Sequence, residues 1–299
     1  MRHTYECPVR WADLDLLQHV NNVTYVDYLQ EARIDMFMAH AEFGGGEELA
    51  EGVVVVRHEL DFLAPLEFRS RPVLVDAWIS DIRAASFTMA YEVYDAAPEG
   101  EGDGERRVYL RGSSLLAPFV FATERPRRIT DVERGVLERY LEPAEPRSPV
   151  TGEGAARHVY PLRVRWSDVD AYRHVNNVKY IEYFQEARLR YLMDLRQPGD
   201  SFSRIVVGRT DVDYRRPILF RLEPYEVHSW VSHVGTSSFV VAAEVRDPVA
   251  GGELLASSRS VMVGFDRATQ RAAPLTPAQR TSLLGEVAET GGGVTPPAS

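Results

Sequence analysis

Two stretches of the sequence place the same polar side chains at the same spacing. In the first, Asp13 and Asp15 are followed by His19 and then by Asn21 and Asn22. The second repeats that order with Asp168, Asp170, His174, Asn176 and Asn177. An aspartate and a histidine held close together can activate a water molecule or attack a carbonyl carbon. The pattern therefore predicts hydrolytic chemistry, present in two copies.

A helix is predicted to begin at the asparagines. From Asn22 to about Ala39, apolar residues recur at helical spacing, at Tyr25, Tyr28, Leu29, Ala32 and Met36. Asparagine is a good N-cap, and N–H groups at a helix N-terminus lack intrahelical partners and lie at the positive end of the helix dipole. Such an end can polarise a carbonyl and hold an oxyanion. Asp15 or Asp170 would then attack that carbonyl or deprotonate a water molecule.

The leaving group decides which substrate this arrangement favours. The conjugate acid of a thiolate has a pKa of about 8.5 to 10, so a thiolate leaves with little protonation, whereas an amine or alkoxide needs a strong general acid. Thioester hydrolysis is therefore favoured over amide hydrolysis. His19 and His174 would orient the aspartate, hold the water or support the carbonyl.

The similarity between the two halves of the sequence extends beyond the motif. The segment Trp11 to Arg33 returns as Trp166 to Arg188, with 14 of 23 positions identical at a constant offset of 155. Ser86-Phe87 likewise matches Ser238-Phe239 further on. A period of this length is too long for a solenoid unit, so it indicates two copies of one domain. We predict domains at 1–142 and 157–275, a linker at 143–156, and a C-terminal helix and disordered tail at 276–299.

Each half has the same order of elements: a short extended run, one long helix and four β-rich runs. The β-rich runs are 53–62, 72–82, 86–94 and 108–121 in the first half, and 204–214, 225–233, 238–245 and 253–265 in the second. The second helix is predicted from Asn177 to about Leu195, and a polar Gly-rich insert, Ala96 to Arg107, occurs in the first half alone. The predicted fold class is α+β: in each domain a long helix packs on an antiparallel β-sheet, and the two domains form an internal pseudo-dimer.

Composition narrows the class of protein. Of the 299 residues, 44% are apolar and 26% are charged, as in an ordinary globular protein. A net charge of −10 disfavours a nucleic-acid partner, since that requires clustered lysine and arginine. The single cysteine, Cys7, cannot form an internal disulfide and is interpreted as a small buried apolar residue. No apolar stretch is long enough for a membrane span or a signal peptide, so a cytoplasmic location is expected.

The doubled motif resembles hot-dog-fold thioesterases, both the acyl-CoA enzymes like 4-hydroxybenzoyl-CoA thioesterase and the acyl-ACP thioesterases. The resemblance rests on the pattern DxDxxxHVNNxxYxxYxxEAR and covers nearly the whole chain as a double hot dog. It implies sites where two such units meet, with Asp15 and Asp170 at the position of the family's nucleophile or base. His19 and His174 match the histidine of the acyl-ACP enzymes.

The chain departs from the acyl-ACP pattern in one place. Those enzymes carry asparagine two residues after the catalytic aspartate, where this chain has Leu17 and Tyr172. Acyl-CoA is therefore the favoured substrate class. Positions 16–18 and 171–173 also differ from each other, so the two sites need not be equivalent.

Other residues of the motif receive mixed interpretations. Asn21, Asn22, Asn176 and Asn177 are candidate substrate-binding residues as well as helix caps, and Tyr25 and Tyr180 are core residues whose hydroxyls are candidates to reach the site. By resemblance, Ser86 and Ser238 are candidates to line the acyl or pantetheine channel. Asp13 and Asp168 are interpreted as structural, and Glu31, Arg33, Glu186, Arg188 and Arg190 as solvated or interfacial charges. The arginines at 125, 127, 128, 215 and 216 are interpreted as exposed, with coenzyme A phosphates as the functional alternative.

The sequence therefore predicts an acyl-CoA thioesterase that needs no metal or redox cofactor, with further self-association left open. An acyl-ACP thioesterase shares the chemistry, but the net charge of −10 disfavours docking an acidic carrier protein. Two further alternatives are a hot-dog enoyl-CoA hydratase, whose Asn-Pro this chain lacks, and a non-catalytic acyl-CoA-binding protein.

Overall fold

The structure divides into two units, one for each half of the repeat. The computed structural model describes residues 1–39, 49, 52–95, 106–144, 148–195, 204–266 and 268–288. These residues form two compact units, Met1–Ser148 and Pro149–Ser299. Three predicted segments lie wholly or partly outside the described residues. They are residues 145–147 of the linker, all but the last two residues of the insert Ala96 to Arg107, and the disordered tail from Gly291.

The N-terminal unit is an antiparallel sheet with one long helix. Its strands are β1 (His3–Cys7), β2 (Val53–Phe62), β3 (Val73–Ile82), β4 (Phe87–Asp95), β5 (Arg107–Val120) and β6 (Arg125–Pro126). They lie in the order β1-β3-β4-β5-β2, and β6 pairs with the end of β5. A short 3-10 helix (Trp11–Asp13) and the long helix α1 (Thr24–Met38) separate β1 from β2, and a second helix, α2 (Asp131–Glu138), follows β6.

The C-terminal unit repeats this topology. Its strands are β7 (His158–Leu162), β8 (Ile205–Tyr214), β9 (Tyr225–Val234), β10 (Ser238–Asp247), β11 (Glu253–Asp266) and β12 (Arg271–Ala272). The order is β7-β9-β10-β11-β8, with β12 on the end of β11. The 3-10 helix is Trp166–Asp168, the long helix is α3 (Asn177–Asp194) and the last helix is α4 (Pro277–Ala288).

The long helix covers the sheet with one apolar stripe. Its buried residues in α1 include Tyr25, Leu29, Ala32 and Met36, spaced three and four apart. At one end the ring of Tyr25 lies 5.6 Å from that of Phe62 in β2, and at the other end Phe37 lies 6.1 Å from Phe87 in β4. The helix therefore runs along the sheet from the end of β2 to the start of β4.

The predicted order of elements is confirmed in both units. The first helix begins at Thr24 rather than Asn22, and the second spans Asn177–Asp194, close to the prediction. Helix α2 was missed, although Thr130 and Glu133 form a capping box before it. Cys7 is buried, as expected. Among the described helices, none is both long and apolar enough to cross a membrane.

Of the two predicted alternatives for two motif arginines, solvated or interfacial, burial excludes the solvated one, and the interfacial one stays a prediction. Arg33 and Arg188 are only 8% and 5% exposed. Both lie on the apolar stripe of their helices, because Arg33 follows Leu29 by four residues and so falls on the same face. Glu31 and Glu186 lie on the opposite side and are exposed, as predicted.

Candidate active site

A tight turn carries the predicted aspartate and histidine of the N-terminal unit. The N–H of Asp15 donates to the carbonyl of His19 at 2.8 Å, and Gln18 adopts a left-handed φ of 64° to close the turn. Asp15 Oδ1 accepts hydrogen bonds from the N–H groups of Leu17 at 2.7 Å and His19 at 3.4 Å. The aspartate therefore holds its own loop in shape.

The C-terminal unit builds the same turn from different side chains. The N–H of Asp170 donates to the carbonyl of His174 at 2.8 Å, and Arg173 has a φ of 66°. Asp170 Oδ1 accepts from the N–H groups of Tyr172 at 2.9 Å and His174 at 3.2 Å. In both units the described residues give the second carboxylate oxygen, Oδ2, no hydrogen bond.

The turn also places the histidine beside the aspartate. Leu14 and Val20 form an isolated antiparallel bridge, as do Val169 and Val175. Asp15 and His19 are the next residues in register towards the turn, so their Cβ atoms are expected about 5 Å apart on one face. The structure thus brings the predicted aspartate and histidine together in each unit.

Asp13 and Asp168 stabilise the approach to this turn. Asp13 Oδ2 accepts from the N–H of Arg10 at 2.7 Å and from the hydroxyl of Tyr28 at 2.6 Å. Asp168 Oδ2 accepts from Arg165 N–H at 2.9 Å and from the Tyr183 hydroxyl at 2.7 Å. The first aspartate of each motif therefore ties the 3-10 helix to the long helix, which is the structural role expected for it.

The tyrosine to aspartate bond is expected to contribute measurably to stability. Tyr28→Phe removes a donor to a charged acceptor, so the free energy of unfolding should fall by about 1–3 kcal/mol, and Tyr183→Phe should behave alike. Urea unfolding measures both losses. Tyr25→Phe is the matched control, because the Tyr25 hydroxyl makes no hydrogen bond among the residues described. An equal loss in the control would contradict the assignment.

The first asparagine of each pair accepts an N–H at the start of the long helix: Asn176 is the N-cap of α3, whereas Asn21 lies just before Val23, the N-cap of α1. Asn21 Oδ1 accepts from the N–H of Val23 at 3.0 Å, and Asn176 Oδ1 accepts from Val178 at 2.9 Å. The other asparagine of the first pair is different: the side-chain nitrogen of Asn22 is buried and has no hydrogen-bond partner. Within the part of the chain that the structure describes, a donor just before α1 is therefore left without an acceptor.

Tyr25 and Tyr180 lie in the first turn of their helices, close to the aspartates. Burial raises the pKa of both phenols, and the charges of Asp15 and Asp170 add to the rise in their respective units. The two tyrosines differ in the hydrogen bonding of their hydroxyls. The Tyr180 hydroxyl accepts a hydrogen bond from the N–H of Ile218 at 2.8 Å, whereas the Tyr25 hydroxyl makes none among the described residues. Tyr180 is therefore already engaged by its own unit.

The two predicted channel serines lie elsewhere in their own units. Ser86 is in the turn between β3 and β4, next to Phe87, which contacts Phe37 at the C-terminal end of α1. Ser238 adjoins Phe239, which belongs to the cluster formed with the last turns of α3. A helix of 15 residues is about 22 Å long, so within one unit Ser86 is not brought to Asp15.

The arginines considered for phosphate binding divide into two groups. Arg127 donates to Glu133 at 2.6 and 2.8 Å, and Arg216 lies 3.2 Å from Glu253. The others, Arg125, Arg128 and Arg215, are exposed. Phosphate binding by Arg127 would have to compete with a buried carboxylate, which disfavours it.

Each unit has a long helix that lies along an antiparallel sheet, and the same aspartate turn precedes the helix in both. This arrangement, present twice, is the tandem hot-dog fold of thioesterases. Residues 9–139 and 164–283 match the model of the thioesterase-like superfamily. The chain belongs to this family and is a thioester hydrolase. The predicted fold and enzyme class are thereby confirmed, whereas the pseudo-dimer and the domain limits stay predictions.

Relatives and solved structures agree with this assignment. The long-chain acyl-CoA thioesterase FadM of Escherichia coli is 28% identical over 129 residues, which are 41% of this chain and 93% of FadM. A putative oleoyl thioesterase from Lactobacillus plantarum has a TM-score of 0.69 at 16% identity over 89% of this chain and 98% of its own. The 12:0-ACP thioesterase of Umbellularia californica has a TM-score of 0.66 at 18% identity, over 88% and 94% of the two chains. Both structures share the fold.

Proposed function

We propose that this protein hydrolyses acyl-CoA thioesters to a carboxylic acid and free coenzyme A, with Asp15 and Asp170 as nucleophile or general base. The observation that carries the proposal is the repeated turn, in which Oδ1 of the aspartate is fixed by two N–H groups and Oδ2 is free. A carboxylate oriented by backbone donors needs little reorganisation to react, which is what preorganised catalysis requires.

The chemistry follows from that free oxygen. Either Oδ2 attacks the thioester carbonyl, giving an anhydride that water then hydrolyses, or it takes a proton from a water molecule that attacks instead. In both routes the carbon–sulfur bond breaks and coenzyme A leaves as a thiolate that needs little protonation. His19 or His174, beside the aspartate, would orient the water or the carbonyl.

The developing oxyanion needs a donor near the start of the long helix. In the N-terminal unit the N–H groups of Val23 and Thr24 are already bonded to Asn21. The buried and unpaired side-chain nitrogen of Asn22 supports this residue as the oxyanion donor, aided by the positive end of the helix. Asn21 then has the supporting role of fixing the helix end.

Coenzyme A is favoured as the carrier on two grounds. FadM, the relative from Escherichia coli, is by its name a long-chain acyl-CoA thioesterase. This chain also carries a net charge of −10, which repels an acidic carrier protein more than it does a small nucleotide thioester.

Release of free thiol by the purified full chain tests the proposal. Short, long and aromatic acyl-CoAs should all be compared with the same acyl groups on acyl carrier protein, and hydration of a 2-enoyl-CoA should be followed in parallel. We expect thiol release from acyl-CoA with a higher kcat/KM than from acyl-ACP, and no hydration. Hydration without thiol release, or tight binding of acyl-CoA without turnover, would overturn the proposal.

A further inference from the structure

The N-terminal unit contributes a buried charged side chain, and none of the described residues neutralises it. Arg33 is 8% exposed, and its Nη1 is buried without a hydrogen-bond partner. Within the described residues it forms no ion pair. An arginine stays protonated at neutral pH, and a buried cation without a partner costs considerable free energy. Stability therefore does not explain this residue.

One group close to Arg33 is polar but uncharged. His58 of β2 is fully buried and pairs through Nδ1 with Ser114 Oγ of β5 at 2.8 Å. Burial, and then the charge of Arg33, lowers the pKa of His58 to about 3, so this imidazole is neutral at neutral pH. The surroundings therefore offer hydrogen-bonding groups to a ligand while leaving the positive charge of Arg33 uncompensated.

The C-terminal unit has the same arrangement with the arginine satisfied. Arg188 donates to Ser260 Oγ at 3.1 Å, and Ser260 lies 3.2 Å from Thr210 Oγ1. Ser260 pairs with Thr210 in register as Ser114 pairs with His58. The histidine in place of threonine thus accompanies an arginine whose Nη1 lacks a partner, whereas in the C-terminal unit Nη1 of the arginine donates to a serine hydroxyl.

The position of Arg33 along the helix suits the far end of a substrate. Arg33 lies nine residues beyond Thr24, the first residue of α1, or about 14 Å along the axis. The proposed catalytic groups are at the start of that helix. A distance of about 14 Å is within the length of a medium-chain acyl group bound at the start of α1.

We propose that Arg33 binds a distal carboxylate on the acyl group, so that the N-terminal unit prefers thioesters of dicarboxylic acids over those of simple fatty acids. This inference rests on the proposed function. A carboxylate supplies the missing counter-charge and accepts two parallel hydrogen bonds from a guanidinium. His58 lies close enough to Arg33 to respond to its charge, so its neutral ring would border the bound carboxylate.

The test compares two series of acyl-CoAs of matched length, one ending in a methyl group and one in a carboxylate. At the chain length that reaches Arg33, kcat/KM for the carboxylate series should exceed that for the methyl series by about tenfold or more, as one charge-assisted hydrogen bond provides. Arg33→Met should abolish this ratio and Arg33→Lys should keep part of it. Arg188→Met is the matched control and should leave the ratio in place.

Thermal shifts with free acids keep the inference testable apart from turnover. A dicarboxylic acid of the preferred length should raise the Tm of the wild-type chain more than the monocarboxylic acid does, even if no thioester is hydrolysed. A ratio of one or below at every length, an equal Tm shift by both acids, or a ratio unchanged in folded Arg33→Met would overturn the inference. Absence of thiol release from every acyl-CoA would instead refute the proposed function.

Discussion

Replacing both turn aspartates by asparagine, Asp15→Asn with Asp170→Asn, is expected to lower kcat for thioester hydrolysis by about 100- to 10,000-fold. The amide keeps an oxygen that accepts the two N–H bonds of the turn, but it has no charged Oδ2 to attack a carbonyl or take a proton. Steady-state thiol release from an acyl-CoA measures the effect.

Alanine at the same positions provides the contrast. Asp15→Ala removes the turn acceptor as well as the reactive oxygen, so it should lose activity and also destabilise the loop by about 1–3 kcal/mol. If the aspartates served the turn alone, the asparagine variants would stay active and only the alanine variants would fail. Full activity in the double asparagine variant would therefore refute the catalytic assignment.

The single variants assign the activity to each unit. If both units turn over, Asp15→Asn and Asp170→Asn should each leave the activity of the other unit. If one unit is silent, the whole loss should appear in one single variant. Because Tyr180 is engaged by Ile218 while Tyr25 is not, we expect Asp15→Asn to cause the larger loss.

Glu133→Gln is expected to destabilise the N-terminal unit by about 1–3 kcal/mol, since it removes the charge from a fully buried carboxylate that accepts hydrogen bonds from a partly exposed guanidinium. Glu133 is fully buried and accepts from Arg127 at 2.6 and 2.8 Å and from the N–H of Thr130 at 2.8 Å. Glutamine preserves the cap of α2 but presents an amide donor to the guanidinium. Urea unfolding near neutral pH measures the loss.

The same pair should give the stability a dependence on pH. Burial would raise the pKa of Glu133, but the bonds from Arg127 and Thr130 outweigh it and hold the pKa below its ordinary value. Its contribution is therefore complete above the unfolded glutamate pKa of about 4.3 and is lost as pH falls through the lower folded pKa. Wild-type stability should fall in that acidic range more steeply than that of Glu133→Gln.

The C-terminal unit supplies the control for this pair. There Gln279 forms the same capping box with Thr276, at 2.9 and 3.1 Å, and Ala273 stands where the first unit has Arg127. The double variant Glu133→Gln with Arg127→Ala copies that combination, so it should recover a large part of the stability lost by Glu133→Gln alone. No recovery would mean that the ion pair is not the cause of the loss.

Most of the fold was predictable because the same pattern of apolar and polar residues occurs in both halves of the sequence. The stripe at Tyr25, Leu29 and Met36 defined the helix, and the β-rich runs in each half defined the strands. The adjacency of Asp15 and His19 was predictable as a motif, but the two N–H bonds to Oδ1 were not. They depend on the left-handed backbone at Gln18, a residue type that gives no such signal.

The remaining misses have physical reasons as well. Arginine is a residue type that usually lies on the surface, and only the position of Arg33 on the apolar stripe of the helix indicated that it is buried. The role of Ser86 and Ser238 in the channel stays a prediction, because the sequence pattern does not tell which end of a helix a hairpin will meet. Helix α2 has only eight residues, but the capping box of Thr130 and Glu133 is a sequence signal for its start.

When a domain is duplicated, one copy can ordinarily accumulate mutations while the other copy keeps the activity. That freedom is restricted here, because the residue proposed to break the thioester is also the one that folds its own loop in both copies. Mutations that silence one half by removing the side chain would damage its architecture too. The retention of both aspartates therefore has a mechanical reason, independent of whether natural selection requires two working centres.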